Sequence, residues 1–305
     1  MSRPPASDTL RAIALMVLSM ATFATADSFI KLTSAHLPAS QVLAALGVGG
    51  TAVFAIITRA KGIPLVSARI YHPAVLARAI SEIVATCGFL MALTLLDFSV
   101  ASSILQVAPL LVTLGAAILL RENVSWRRWS AIFAGLIGVL VILNPTGTDT
   151  NLLEANPAGA VLALVGVTGL AGRDLATRFI PKDVPNLQAA TWGFAAVIAA
   201  AAVLAFFGDA WVVPTTTAWI LLVGLITFAC VGYFAVTAAM RIGDVSAVAP
   251  FRYSRIVFAF ILSAVIFGET LTPRILSGAA IIVAAGLYVW LRESQKQKTP
   301  TETQS

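Results

Sequence analysis

The chain has 305 residues, of which 59% are hydrophobic and 11% charged, with a mean hydropathy of +0.92. A soluble globular domain carries about 25% charged residues, so a water-soluble enzyme or binding module is excluded and the solvent of this chain is lipid. The net charge of +6 does not mark a nucleic-acid partner, because the basic residues sit in short connections between apolar runs.

In chain order the apolar runs cover about 11–30, 40–58, 74–95, 100–120, 128–143, 157–178, 187–207, 217–239, 247–267 and 275–291. A bilayer core about 30 Å thick needs roughly 20 residues of helix, so each run predicts one transmembrane helix. The expected fold is an all-α integral membrane protein with ten spans. The runs are continuous and do not alternate, which excludes a transmembrane barrel. The first run, with Arg11 ahead of it and Ala24-Thr25-Ala26 inside it, imitates a signal peptide. The internal repeat described below makes it a retained helix. Cys87 and Cys230 lie inside apolar runs, and His36 and His72 lie in connections. Neither pair has disulfide or metal-ligand spacing, so no metal and no cofactor are expected.

Alternate connections carry Arg3 and Arg11; Arg59, Lys61 and Arg69; Arg121, Arg127 and Arg128; Arg178 and Lys182; Arg241; and Arg292, Lys296 and Lys298. The opposite set carries only Lys31 and Arg274. The positive-inside rule predicts a multi-pass protein of the inner membrane with both termini cytoplasmic.

The chain repeats itself at an offset of 147: Asp27 matches Asp174, Pro38 Pro185, Gln41 Gln188, Asp97 Asp244, Ser99 Ser246, Glu122 Glu269 and Ser130 Ser277, with Lys31 against Arg178. Each half holds five helices, an odd number, so the second half enters the membrane inverted. The expected organisation is a cytoplasmic tail at 1–10, a first five-helix repeat at 11–143, a linker at 144–156, a second repeat at 157–292 and a cytoplasmic tail at 293–305.

The paired segments PLLVTLGAAILLRENVSWRRWSAIFAGLIGVLVIL (109–143) and RIVFAFILSAVIFGETLTPRILSGAAIIVAAGLYVW (255–290) give this sequence its likeness to a family. In each, an apolar helix ends at Glu122 or Glu269, and a small-residue-rich helix follows. Together with two five-helix repeats, this resembles the EamA type of the drug/metabolite transporter superfamily, over about residues 10–292. The resemblance implies a central cavity that opens alternately to the two sides. It also implies substrates among amino acids, vitamins, nucleotide-type metabolites or drugs. Pro109 faces Ile256 and Pro250 faces Ser103 in the repeat, so the two corresponding helices are expected to bend differently.

Charge at membrane depth costs several kcal/mol, about 2.5–3.5 on insertion scales, and marks functional candidates. The repeat sorts them. Matched residues sit at helix ends, where a role common to both halves is most simply structural. Asp97 and Asp244 are expected to cap the helices they precede, and Asp27 and Asp174 are gating or ion-coupling candidates, since a carboxylate can take up a proton. Unmatched residues break the symmetry, as recognition of an asymmetric solute must. Glu82 faces Ala229, Arg173 faces Ala26, Arg252 faces Leu105 and Arg255 faces Ala108. Arg252 and Arg255 share a helix face and suit a carboxylate or phosphate. Tyr253, with Trp192 or Phe251, is a candidate to stack on a ring, and Gln106, opposite Tyr253 in the repeat, to hydrogen-bond a neighbour or solute. The competing reading is a packing network, Glu82 with Arg255 and Asp174 with Arg173, with Arg252 snorkelling to the interface. Trp126, Trp129, Trp211, Trp219 and Trp290 read as interfacial anchors.

No phosphate-cradling glycine loop is present, so ATP does not drive the protein directly. The expected function is secondary transport of a small polar metabolite by alternating access, driven by a proton gradient, by exchange or by the solute's own gradient. The solute is expected to be an amino acid or derivative, or a ring-bearing metabolite such as a riboflavin-type vitamin or adenosyl compound. Its partners are that solute and the bilayer. A passive channel and an intramembrane enzyme are the alternatives.

Overall fold

The computed structural model describes residues 6–119, 126–144, 156–181, 183–242 and 248–298, and all regular structure among them is helical. The helices are α1 (Ala6–Ser34), α2 (Ala39–Ala60), α3 (Pro73–Leu95), α4 (Phe98–Leu105), α5 (Ala108–Leu119), α6 (Trp126–Leu143), α7 (Pro157–Thr177), α8 (Asn186–Phe207), α9 (Thr216–Ile242), α10 (Ser254–Ile266) and α11 (Pro273–Lys298). Short 3₁₀ turns stand before α3 (Ala68–Tyr71) and before α10 (Ala249–Tyr253). Eight stretches are long and apolar enough to cross a bilayer, with α4 and α5 forming one of them, and Trp129–Leu143 is a shorter apolar helix.

Local sequence explains the starts. Pro73, Pro157 and Pro273 open α3, α7 and α11, where a missing amide costs nothing. Asn156 caps α7, its Oδ1 accepting from the Gly159 amide at 3.0 Å. His72 caps α3 through Nδ1, 3.2 Å from the Ala74 amide.

Two expected spans are not single helices. The run 100–120 breaks between α4 and α5 at Gln106–Val107, because Pro109 cannot continue the hydrogen-bond ladder back to Leu105. Within the run 247–267 a 3₁₀ turn at Ala249–Tyr253, around Pro250, precedes the α-helix that starts at Ser254. The two counterparts thus bend differently, as Pro109 and Pro250 imply. The linker, apart from Asn144 and Asn156, lies outside the described residues, as do Glu122, Asp244 and Ser246.

Helices pair across the halves. α3 packs along α7 and α1 along α9, and these two pairings interchange under the repeat. α2 packs on α8, and α6 on α11, each against its own counterpart. The α3–α7 crossing brings backbones into contact. A Cβ on Gly88 would sit 2.6 Å from the Gly166 amide nitrogen, and one on Gly169 would collide with that of Ala85. At the equivalent α1–α9 crossing the Ser19 hydroxyl donates to the Gly232 carbonyl at 2.7 Å. The resulting core draws on all eleven helices, with Phe98, Leu93, Leu43 and Leu225 fully buried.

Candidate functional site

A cavity of about 550 Å³ lies between α1, α3, α7, α8 and α9, with the α4–α5 break and the turn into α10 also contributing to its lining. That volume suits a metabolite-sized ligand. The cavity reaches Thr177, the last residue of α7, Asn186, the first of α8, and Met240 near the end of α9. At the opposite helix ends it stops beneath a sealed layer.

The seal is built on Glu269. Its carboxylate accepts from the Phe98 and Ser99 amides at 2.6 and 2.9 Å, from the Ser263 hydroxyl at 2.5 Å and from Lys31 Nζ at 3.1 Å. Lys31 also donates to the Leu96 carbonyl at 2.8 Å and lies 5.1 Å from the Phe267 ring centroid. Asp97, expected to cap α4, makes no side-chain cap and is exposed. A carboxylate from the other half takes that role, since the free amides and positive dipole end of a helix hold an anion from any direction. Burial alone raises the Glu269 pKa. The bonds from Ser263, Ser99 and Phe98, then the Lys31 charge, outweigh it, and Glu269 titrates below its ordinary value of 4.5.

Inside the cavity the charged groups pair. Arg255 Nη2 meets the Asp27 carboxylate, and its guanidinium lies 5.6 Å from the Phe23 ring centroid. Glu82 is 3.3 Å from Arg173, Arg173 is 3.0 Å from Asp174, and Asp174 is 3.4 Å from Arg252. The expected Arg173–Asp174 pair is present. Glu82 does not pair with Arg255: α7 lies against α3 along its length, so Arg173 reaches Glu82 first, and Arg255 faces α1. Asp27 and Lys31 share a helix face but diverge, Asp27 to Arg255 and Lys31 to the seal.

Of the solute and coupling candidates singled out in the sequence, eight line this one cavity: Arg252, Arg255, Tyr253, Glu82, Arg173, Gln106, Asp27 and Asp174. Trp192 does not. Its indole N–H donates to the Leu65 carbonyl at 2.8 Å, fixing the connection between α2 and α3. Phe251 is also absent from the lining, and the aromatic wall is made by Phe23, Phe89, Phe194 and Tyr233. Tyr253 lines the cavity, but its hydroxyl is lodged against Gly286 of α11. Gln106 donates to the Tyr253 carbonyl at 3.5 Å, so these repeat counterparts touch on the axis relating the halves.

Arg78 is the residue the sequence reading missed. It is 9% exposed and lines the cavity. Its Nε donates to Thr177 Oγ1 at 3.2 Å and its Nη1 to the Ala189 carbonyl at 3.4 Å, and Glu82 is 3.9 Å away. Its repeat counterpart is Leu225, so the broken-symmetry test that picks out Glu82 also picks out Arg78.

Fold and site together define a class: a polytopic helical membrane protein made of two repeats around a charged, solute-sized cavity. The family model of the EamA-like transporter family matches residues 10–144 and again 157–291, and the chain belongs to that family. Its curated relatives include a riboflavin transporter of Vibrio cholerae, 28% identical over 198 residues, covering 64% of this chain and 63% of that one. An S-adenosylmethionine uptake transporter of Rickettsia prowazekii is 26% identical over 212 residues, 70% of this chain and 69% of that one. A pseudopaline exporter of Pseudomonas aeruginosa is 24% identical over 273 residues, 90% and 93% of the two chains. A solved crystal structure shares the fold, with a TM-score of 0.61 at 20% identity over 98% of this chain and 100% of that one.

Proposed function

We propose that this protein is a secondary transporter that carries a small polar organic metabolite across the inner membrane by alternating access, with ten spans and both termini in the cytoplasm. The observation that carries the reading is a cavity lined from both halves that reaches one set of helix ends and stops beneath the Glu269 seal at the other. A through-pore would have to pass that layer. By the positive-inside rule the reached ends are cytoplasmic, so this geometry corresponds to an inward-opening state. Transport would then require Glu269 to release α4 and Lys31 while the opposite end closes, a switch between two discrete packings. The solute classes are an amino acid or derivative, or a ring-bearing metabolite of the riboflavin or adenosyl type. The former suits the arginines, the latter the aromatic wall. Asp27 and Asp174 are the candidates to couple a proton or an exchanged solute to the cycle, a reading supported by their position in the cavity lining.

The test is counterflow in liposomes holding the purified protein. Vesicles preloaded with one unlabelled candidate should transiently accumulate the same labelled solute, with saturation. Linear, non-saturating flux without counterflow would instead identify a channel.

A further inference from the structure

Four arginines reach the cavity, Arg78, Arg173, Arg252 and Arg255, against three carboxylates, Asp27, Glu82 and Asp174. Arg255 and Asp27 form a closed pair. The remaining five make one chain, Arg78–Glu82–Arg173–Asp174–Arg252, with neighbouring charges 3.9, 3.3, 3.0 and 3.4 Å apart. Its charges alternate and both ends are positive, so it carries one surplus positive charge. Protonating any of the three acids would only enlarge that surplus.

The two ends are not equivalent. Arg78 is 11% exposed along its side chain and already gives bonds to Thr177 and Ala189. Arg252 is 44% exposed and touches Asp174 through Nη2 alone. Asp174 is itself held by Arg173, so it does not depend on Arg252 for a counter-charge. The surplus therefore resides on Arg252, at the end of the chain with donors to spare. Among the described residues of the lining no other carboxylate reaches it, and a guanidinium offers five donors in a planar fork.

We propose, resting on the transport reading above, that the solute carries one net negative charge at neutral pH, and that its carboxylate or phosphate docks on Arg252. The aromatic wall of Phe23, Phe194 and Tyr233 receives the rest of the molecule. Zwitterions with no net charge and cations are then poor ligands.

The test uses the purified full-length protein in detergent and probe pairs of equal size that differ in charge: glutamate and glutamine, nicotinate and nicotinamide, indole-3-acetate and indole-3-acetamide. A ligand of the folded state raises the melting temperature with concentration. At least one acid should do so while its amide does not, and R252Q should lose that response. Without ligand, R252Q should melt above the wild type, because it removes an uncompensated charge and leaves Asp174 paired. An amide that stabilises as well as its acid overturns the proposal, as does an acid response that survives in R252Q. If every probe is silent, the variant's own melting temperature decides: a rise supports the surplus charge, whereas a fall means a structural bridge, and no change means an arginine snorkelling to the interface. Transport is judged separately. An acid that binds but shows no counterflow overturns the carrier reading alone, and counterflow of a neutral or cationic solute overturns the charge assignment alone.

Discussion

Glu269 and Asp27 hold cations by different means, and their removal should be felt differently. Glu269 accepts two backbone amides as well as a hydroxyl and an ammonium. Bonds to a charged group contribute about 1.5–3 kcal/mol each, so E269Q should lower the melting temperature clearly at neutral pH. Its folded pKa lies below the ordinary 4.5, so its stabilisation is complete above that value and fades as pH falls through the lower folded value. The gap between wild type and E269Q should therefore be constant near neutrality and close on acidification, and a gap that persists under acid conditions would refute the capping role. Asp27 is 6% exposed and is neutralised by Arg255. Breaking a buried pair from one side costs about 3–5 kcal/mol, so D27N and R255Q should each destabilise the protein, and the double variant should recover most of the loss. The double variant then reads the part of the Asp27–Arg255 pair in counterflow with little folding penalty, and transport is expected to be lost. The candidate residues were legible one by one, because an ionised group in an apolar run stands out, and still more so when its repeat counterpart is apolar. Their partners were not legible: Glu82 and Arg173 are 91 positions apart, Asp27 and Arg255 228. Arg78 escaped notice because an arginine at the start of a span looks like an ordinary topology signal.

At the scale of elements, the apolar runs marked where helices lie, while hydrophobicity alone left the breaks invisible. Gln106–Val107 interrupts an unbroken apolar stretch, and only Pro109 betrays the interruption. The capping rule failed at Asp97 for a related reason. It looks only at neighbours in sequence, whereas the amides of Phe98 and Ser99 are met by a residue 171 and 170 positions away. The α3–α7 crossing gives the clearest element-scale prediction. A Cβ at Gly169 meets the backbone of Ala85, which cannot turn aside, whereas one at Gly172 meets the Ser81 hydroxyl at 3.0 Å, which can. G169A should therefore destabilise the protein by about 1–3 kcal/mol, as overpacking does, and G172A much less. Thermal unfolding of the two variants in the same detergent checks this, and equal losses would contradict a backbone-to-backbone contact.

For the whole molecule, the offset of 147 carried the architecture further than any single motif. The two family matches begin at 10 and 157 and end at 144 and 291, the same displacement. The repeat explains why the α3–α7 and α1–α9 crossings are versions of one another; five spans per half, as proposed above, would make the two halves inverted. Chemistry was less legible at this scale, because symmetry announces a shared scaffold and the solute is read by the places where the scaffold departs from it.

The Glu269 cap has a consequence for how the protein comes into being. The positive end of α4 and the ammonium of Lys31 belong to the half synthesised first, and the carboxylate that satisfies both arrives near the end of translation. Until then the nascent first half waits in the bilayer with the Phe98 and Ser99 amides uncapped and the Lys31 ammonium without its counter-charge. The expected consequence is that the first half does not fold to a stable unit without the second. Produced alone, residues 1–149 should be degraded. Produced beside residues 150–305 as a separate polypeptide, they should be rescued and co-purify, and protein levels of the two fragments, singly and together, would show it.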